Sequence, residues 1–274
     1  MTPMRPAFFI SDHTGITAEI IGKSLLSQFP GEAFASASLP FVDTPEKVQD
    51  VLERIKSAWQ ESKLRPLVFS TMTDADARAG LEASGAVVMD VYGHFLGLMM
   101  GELGRPAVPV RGQSHSMTDT GAYHSRIDAV NFALAADDGL STEKYDRADL
   151  ILVGVSRSGK TPTSLYMAMQ YGLKVANYPL TPENFEQPSL PAWLQPYYAK
   201  LRGLTLTPER LAQIRAERRP NSRYAAIDTC RAELEQADRM MREAGIPILD
   251  STKSSIEEIA ALLRQSVPQA ARPE

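Results

Sequence analysis

From Gly154 to Thr161 the chain reads GVSRSGKT, directly after the apolar run Leu150-Ile151-Leu152-Val153, and it fits G-x-x-x-x-G-K-[ST] at every specified position. That spacing suits phosphate. Glycines let the backbone curl so that consecutive N–H groups converge on phosphate oxygens, and a helix starting behind the loop adds the positive end of its dipole. On this reading Gly154, Val155, Ser156, Arg157, Ser158, Gly159, Lys160 and Thr161 surround the phosphates of a nucleotide. Lys160, read as an exposed loop lysine, neutralises the terminal phosphates, and Thr161 holds Mg²⁺ by its hydroxyl.

Such a loop calls for a carboxylate at the end of a neighbouring apolar strand. Asp250, after Ile246-Pro247-Ile248-Leu249, is the candidate, with capping of the last helix as its competing role. A second strand-to-helix loop, Ser11-Asp12-His13-Thr14-Gly15-Ile16-Thr17, offers hydroxyls to an anion and Asp12 as a general base, although turn and cap chemistry explains the same residues. Arg202, Arg210, Arg215, Arg218, Arg219 and Arg223 crowd one segment. They could stabilise charge on a phosphoryl group in flight, or form a solvated face paired with Glu209 and Glu217. The four histidines show no metal-ligand spacing, and Cys230, the only cysteine, lies in an apolar helical stripe that marks it as core packing.

The elements that must position these residues alternate between strand and helix from end to end, which predicts an α/β fold with mainly parallel strands. A strand over 7–10 leads through the first loop to a helix over 16–28, and Thr44-Pro45-Glu46 caps a helix carrying Val48, Val51, Leu52, Ile55 and Trp59. Strands follow at 67–71 and 86–91, then a long Pro-, Gly- and Ser-rich connection over 106–122 and a helix over 123–136. Asp137-Asp138-Gly139 ends that helix and suggests a boundary: an N-terminal α/β domain over 1–140, available for docking a target, then a P-loop kinase-like α/β domain over 141–274.

The formal net charge is −4, yet the first 140 residues hold 17 acidic and 11 basic side chains, while the remainder hold 16 and 18. A mildly basic second half suits a phosphate-bearing ligand and lacks the concentrated basic face that nucleic acid needs. With neither an apolar run of spanning length nor a signal-peptide pattern, the expectation is a cytoplasmic protein that does not engage membranes.

Taken together, SDHTGITAEIIGKSLLSQFP, DDG, ADLILVGVSRSGKTPTSLYMAMQYGLKVANYPL, RPNSRYA and ILDSTKSSIEEIA resemble the bacterial regulatory proteins of pyruvate, phosphate dikinase and phosphoenolpyruvate synthase. The segments ITAE, SQFP and ANYPL look more like the synthase branch. The resemblance implies a bifunctional serine/threonine kinase with ADP as donor and a Pi-dependent reverse activity that releases diphosphate. Its implied protein substrate is phosphoenolpyruvate synthase, switched off by phosphorylation of a threonine beside its catalytic histidine. Where family members often carry SDSTGETAE, this chain has His13 and Ile16, so a shared role carries over to Asp12, Thr14 and Thr17 only. The residues by themselves leave open the same activities on the dikinase, a small-metabolite P-loop kinase, a nucleotide-sensing module without catalysis, and assembly as a homodimer.

Overall fold

The computed structural model describes residues 4–108 and 120–267, so most of the connection expected over 106–122 lies outside the described residues. The chain divides into two compact units, Met1–Ser116 and Met117–Glu274. That division falls ahead of the break near residue 140 suggested by Asp137-Asp138-Gly139. The reason is packing: the helix those residues terminate lays Ala129 and Ala133 against Ala168 in the second unit.

In the first unit, strands β1 (Arg5–Ile10), β2 (Phe34–Leu39), β3 (Leu67–Ser70) and β4 (Val87–Asp90) form a parallel sheet in the order β2-β1-β3-β4. Alternation along β1 sends its side chains to two faces. Ala7 and Phe9 meet Ala18 and Leu26 of helix α1 (Ile16–Leu26), while Phe8 and Ile10 pack with Val51 and Ile55 of α2 (Pro45–Ser62) and Leu81 of α3 (Ala75–Ala83). Thr44 caps α2 by accepting from the Lys47 N–H, with Pro45 in the first turn. Helix α4 (Val91–Leu103) follows β4 and buries none of its residues.

The second unit repeats the topology. Helix α5 (Thr120–Ala135) precedes β5 (Leu150–Val155), α6 (Lys160–Tyr171), β6 (Val175–Leu180), β7 (Leu201–Thr205), α7 (Pro208–Arg218), α8 (Ile227–Glu243), β8 (Ile248–Asp250) and α9 (Ile256–Gln265). Its parallel sheet runs β6-β5-β7-β8. Every residue of β5 is buried, as a central parallel strand covered on both faces requires. Ile151, Val153 and Val155 face Cys230, Leu234 and Met241 of α8, and Leu150 and Leu152 face Met167 of α6 with Ile259 and Leu263 of α9. Among the described residues no helix is long and apolar enough to cross a membrane.

Candidate functional site

Because β5 lies between β6 and β7, the chain leaves its carboxyl end where the strand order reverses, the place at which open α/β sheets leave a crevice. The glycine loop occupies that crevice. A Cβ on Gly154 would stand 2.4 Å from the Leu204 carbonyl oxygen, so the close approach of β5 to β7 excludes any side chain there. Arg157 and Gly159 take left-handed backbone angles, φ 76° and 91°, which bend the loop back over its strand. Gly159 is the N-cap of α6 and supplies no side-chain oxygen, leaving first-turn N–H groups to an outside acceptor.

A cleft of about 580 Å³ opens above the loop. Residues 156–162 form one wall, 251–256 the other, and Asp138, Arg210 and Arg218 also border it. A larger hollow, about 980 Å³, lies in the first unit beside Phe69, Met89 and Phe95. Its lining is predominantly apolar and lacks a glycine loop, so the two hollows differ in chemistry as well as in volume.

Lys160 departs from the sequence reading: it is buried, 4% exposed, rather than an exposed loop lysine. Its Nζ donates to the Val155 carbonyl at 2.8 Å. Burial pushes its ammonium down to about 8, and the carboxylates of Asp138 and Asp137 partly offset that effect. Thr161 Oγ1 donates to Asp137 Oδ1 at 2.8 Å, and the same oxygen accepts from Asn177 Nδ2 at 2.5 Å. Asn177, wholly buried on β6, also accepts the Asp138 N–H at 3.1 Å, so one buried amide bonds to the Asp137 side chain and to the Asp138 backbone. The pair Asp137-Asp138, read from sequence as a helix stop, therefore stands beside the glycine loop. The Thr161 hydroxyl and the Asp137 carboxylate, bonded to each other, are oxygen donors of the kind magnesium takes, an ion that binds through one or two carboxylates and draws its other ligands from phosphate and water.

The other expected residues are placed differently. Asp250 closes β8, but its Oδ1 accepts from Thr252 N (2.7 Å) and Thr252 Oγ1 (2.5 Å), and it borders a separate hollow with Asp238 and Arg242. It does not cap α9 either; Ser255 does, in a reciprocal capping box with Glu258. The strand end reaches the loop through the next residue, Ser251, whose hydroxyl donates to the Ser158 carbonyl at 3.3 Å. Asp12, in the first unit, is buried and accepts from Thr73 N at 2.9 Å and from Thr73 Oγ1. Thr14 and Thr17 lie on the same loop and first turn. The arginines also separate: Arg210 and Arg218 border the cleft, Arg202 donates to Ser266 and to the Ala199 and Leu201 carbonyls, and Arg215 is wholly buried behind the loop.

Fold and site define an α/β protein with a glycine loop, a buried lysine and paired acids at a sheet's switch point. The chain belongs to the kinase/pyrophosphorylase family, whose model matches residues 7–263. It is 51% identical over 267 residues to a protein of Aromatoleum aromaticum named as a phosphoenolpyruvate synthase regulatory protein, covering 97% of this chain and 96% of that one. Relatives of the same name in Azoarcus sp. and Bordetella avium are 50% and 49% identical, covering 97% and 96% of this chain and 96% of each relative.

Proposed function

We propose that this protein regulates phosphoenolpyruvate synthase by reversible phosphorylation in the cytoplasm, using ADP as donor and Pi for the reverse reaction. The observation that carries the reading is the cluster of Lys160, Thr161, Asp137 and Asp138 around the glycine loop, in a chain about half identical over nearly its full length to relatives bearing the synthase's name. In the forward direction the target threonine oxygen attacks the β-phosphorus of ADP, the bond to the bridging oxygen breaks, AMP leaves, and the threonine proton is released. In the reverse direction an oxygen of hydrogen phosphate attacks the phosphothreonine phosphorus, the threonine oxygen departs with the proton, and diphosphate forms.

Each residue has a defined task. Loop N–H groups and Lys160 hold the phosphates, and Arg210 and Arg218 face the charge that grows on the phosphoryl oxygens. Asp138 makes no side-chain hydrogen bond among the described residues and borders the cleft, so its carboxylate takes the threonine proton. Thr161 and Asp137 would hold magnesium, which when bound neutralises charge on the phosphates. The test incubates the purified protein with the synthase and ADP or ATP, maps the modified residue by mass spectrometry, then adds Pi and measures diphosphate. ADP-dependent phosphothreonine beside the synthase's catalytic histidine, removed by Pi, is expected. Transfer from ATP alone refutes the donor, and modification only of the dikinase refutes the target.

A further inference from the structure

Arg215 is the largest side chain that the structure buries completely, and none of the steps above uses it. An arginine taken wholly out of water needs partners for its charge and its donors. Its Nη2 donates to Glu233 Oε2 on α8 at 2.7 Å and to the Ser156 carbonyl, inside the glycine loop, at 3.1 Å. Nη1 donates to the Tyr224 carbonyl at 3.1 Å, and the guanidinium lies 4.1 Å from the centre of the Tyr224 ring. Tyr224 closes the circuit, because its hydroxyl is 2.9 Å from Ser156 Oγ. Ser156 is thus gripped at both its carbonyl and its hydroxyl by residues that follow it in sequence by some sixty positions.

We infer that Arg215, backed by Glu233 and Tyr224, is a positioning residue that presets the phosphate loop by turning the Arg157 amide toward the anion. The physical link is the planar trans peptide, in which a carbonyl and the following N–H point in opposite directions. Anchoring the Ser156 carbonyl to a buried guanidinium behind the loop aims the Arg157 N–H at the cleft, which Arg157 borders. Arg157 also sits at φ 76°, a left-handed angle that a residue with a side chain keeps only when its surroundings impose it. The brace on the preceding peptide is such an imposition. Lysine in place of Arg215 keeps a positive charge but loses the fork that reaches Glu233, Tyr224 and Ser156 together.

The inference rests on the reading of the cleft as a nucleotide site, and its test separates the two. ADP binding to the full chain is measured by calorimetry for the unaltered protein, Arg215→Lys, Tyr224→Phe, Glu233→Gln and Glu233→Leu, alongside the ¹⁵N-resolved shift of the Arg157 amide on titration with ADP. We expect Arg215→Lys and Glu233→Leu to weaken ADP binding by about tenfold and to lower the phosphoryl-transfer rate by roughly a hundredfold, as loss of a preorganised donor does. Tyr224→Phe should lose several-fold in ADP affinity, and Glu233→Gln, which still accepts a hydrogen bond, should recover most of what Glu233→Leu loses. The Arg157 amide should move downfield on ADP binding in the unaltered protein and move less in Arg215→Lys. Should Arg215→Lys or Glu233→Leu fail to fold, Tyr224→Phe decides, since it keeps the ring beneath the guanidinium and deletes only the contact with Ser156. Unaltered affinity and an unaltered Arg157 shift in every folded variant overturn the positioning role while leaving the nucleotide site intact. Absence of ADP binding by the unaltered protein overturns the site, and the positioning role with it.

Discussion

Replacing Asp137 by asparagine isolates the acid that sequence placed at a helix stop and tertiary structure placed beneath the loop. Asp137 Oδ1 receives hydrogen bonds from Thr161 Oγ1 and Asn177 Nδ2. Bonds to a charged acceptor contribute about 1.5–3 kcal/mol each, against about 0.5–1.5 kcal/mol for a neutral one, so an asparagine whose carbonyl still accepts forfeits roughly 2 kcal/mol over both. In a unit of this size that lowers Tm by roughly 4–8 °C and leaves the protein folded at 25 °C. The kinetic loss should be larger. Thr161 loses the anion that orients its hydroxyl, and Lys160 loses one of the two carboxylates that support its ammonium, so its pKa falls further below its already lowered value. Removing one preorganised group from a site of developing charge costs about two to three powers of ten in rate. Asp250→Asn is the control: its carboxylate is exposed and, among the described residues, bonded only to Thr252, so it should cost about 1 kcal/mol and leave the rate within about threefold. The assay is initial-rate phosphorylation of the synthase with thermal melts measured in parallel. An Asp137→Asn enzyme at near-normal rate, or a folded Asp250→Asn enzyme slowed a hundredfold, would refute the assignment of the acid.

Lys160→Met should abolish phosphoryl transfer in both directions without lowering Tm, because an apolar side chain of similar length replaces a buried ammonium; a large fall in Tm would show a structural role instead. ADP affinity should weaken about tenfold per pH unit above pH 8, since the free lysine, pushed down to about 8, gives up its proton there while bound phosphate favours the charged form. Calorimetry in buffers of different ionisation enthalpy should then register uptake of up to one proton, and pH-independent affinity between pH 7.5 and 9 contradicts this. The same lysine affects folding in a calculable direction. The unfolded chain holds its proton up to about 10.5 and the folded one only to about 8, so this group's contribution to stability rises with pH across that interval. Gly154→Ala should destabilise by about 1–3 kcal/mol through the clash with the Leu204 carbonyl, whereas Gly159→Ala, which meets nothing within 4 Å, should cost only the left-handed backbone penalty of about 1–2 kcal/mol. Equal melting temperatures for Gly154→Ala and the unaltered protein would disprove the close approach of β5 and β7.

Local chemistry was readable in the sequence wherever cause and effect lie close together along the chain. The glycine loop between β5 and α6, the Thr-Pro starts of α2 and α7, and the apolar stripe of α8 all depend on residues within a turn or two of one another. Elements without such a pattern escaped. Strand β2 is FASASL, mostly small residues at a sheet edge; β7 is the short LRGLT; and α4, VYGHFLGLMMGEL, is too apolar all round to display a helical period. Asp250 illustrates the limit of strand-end reasoning: its place after an apolar strand was legible, but its carboxylate turns back onto Thr252 while Ser251 reaches the loop. Only the tertiary structure brought Asp137 and Asn177 to Thr161, or Arg215, Tyr224 and Glu233 to Ser156. These groups lie tens of residues apart, and parallel strands joined by long crossovers bring them together, so their partnership is set by strand order, which leaves no local periodicity in the sequence.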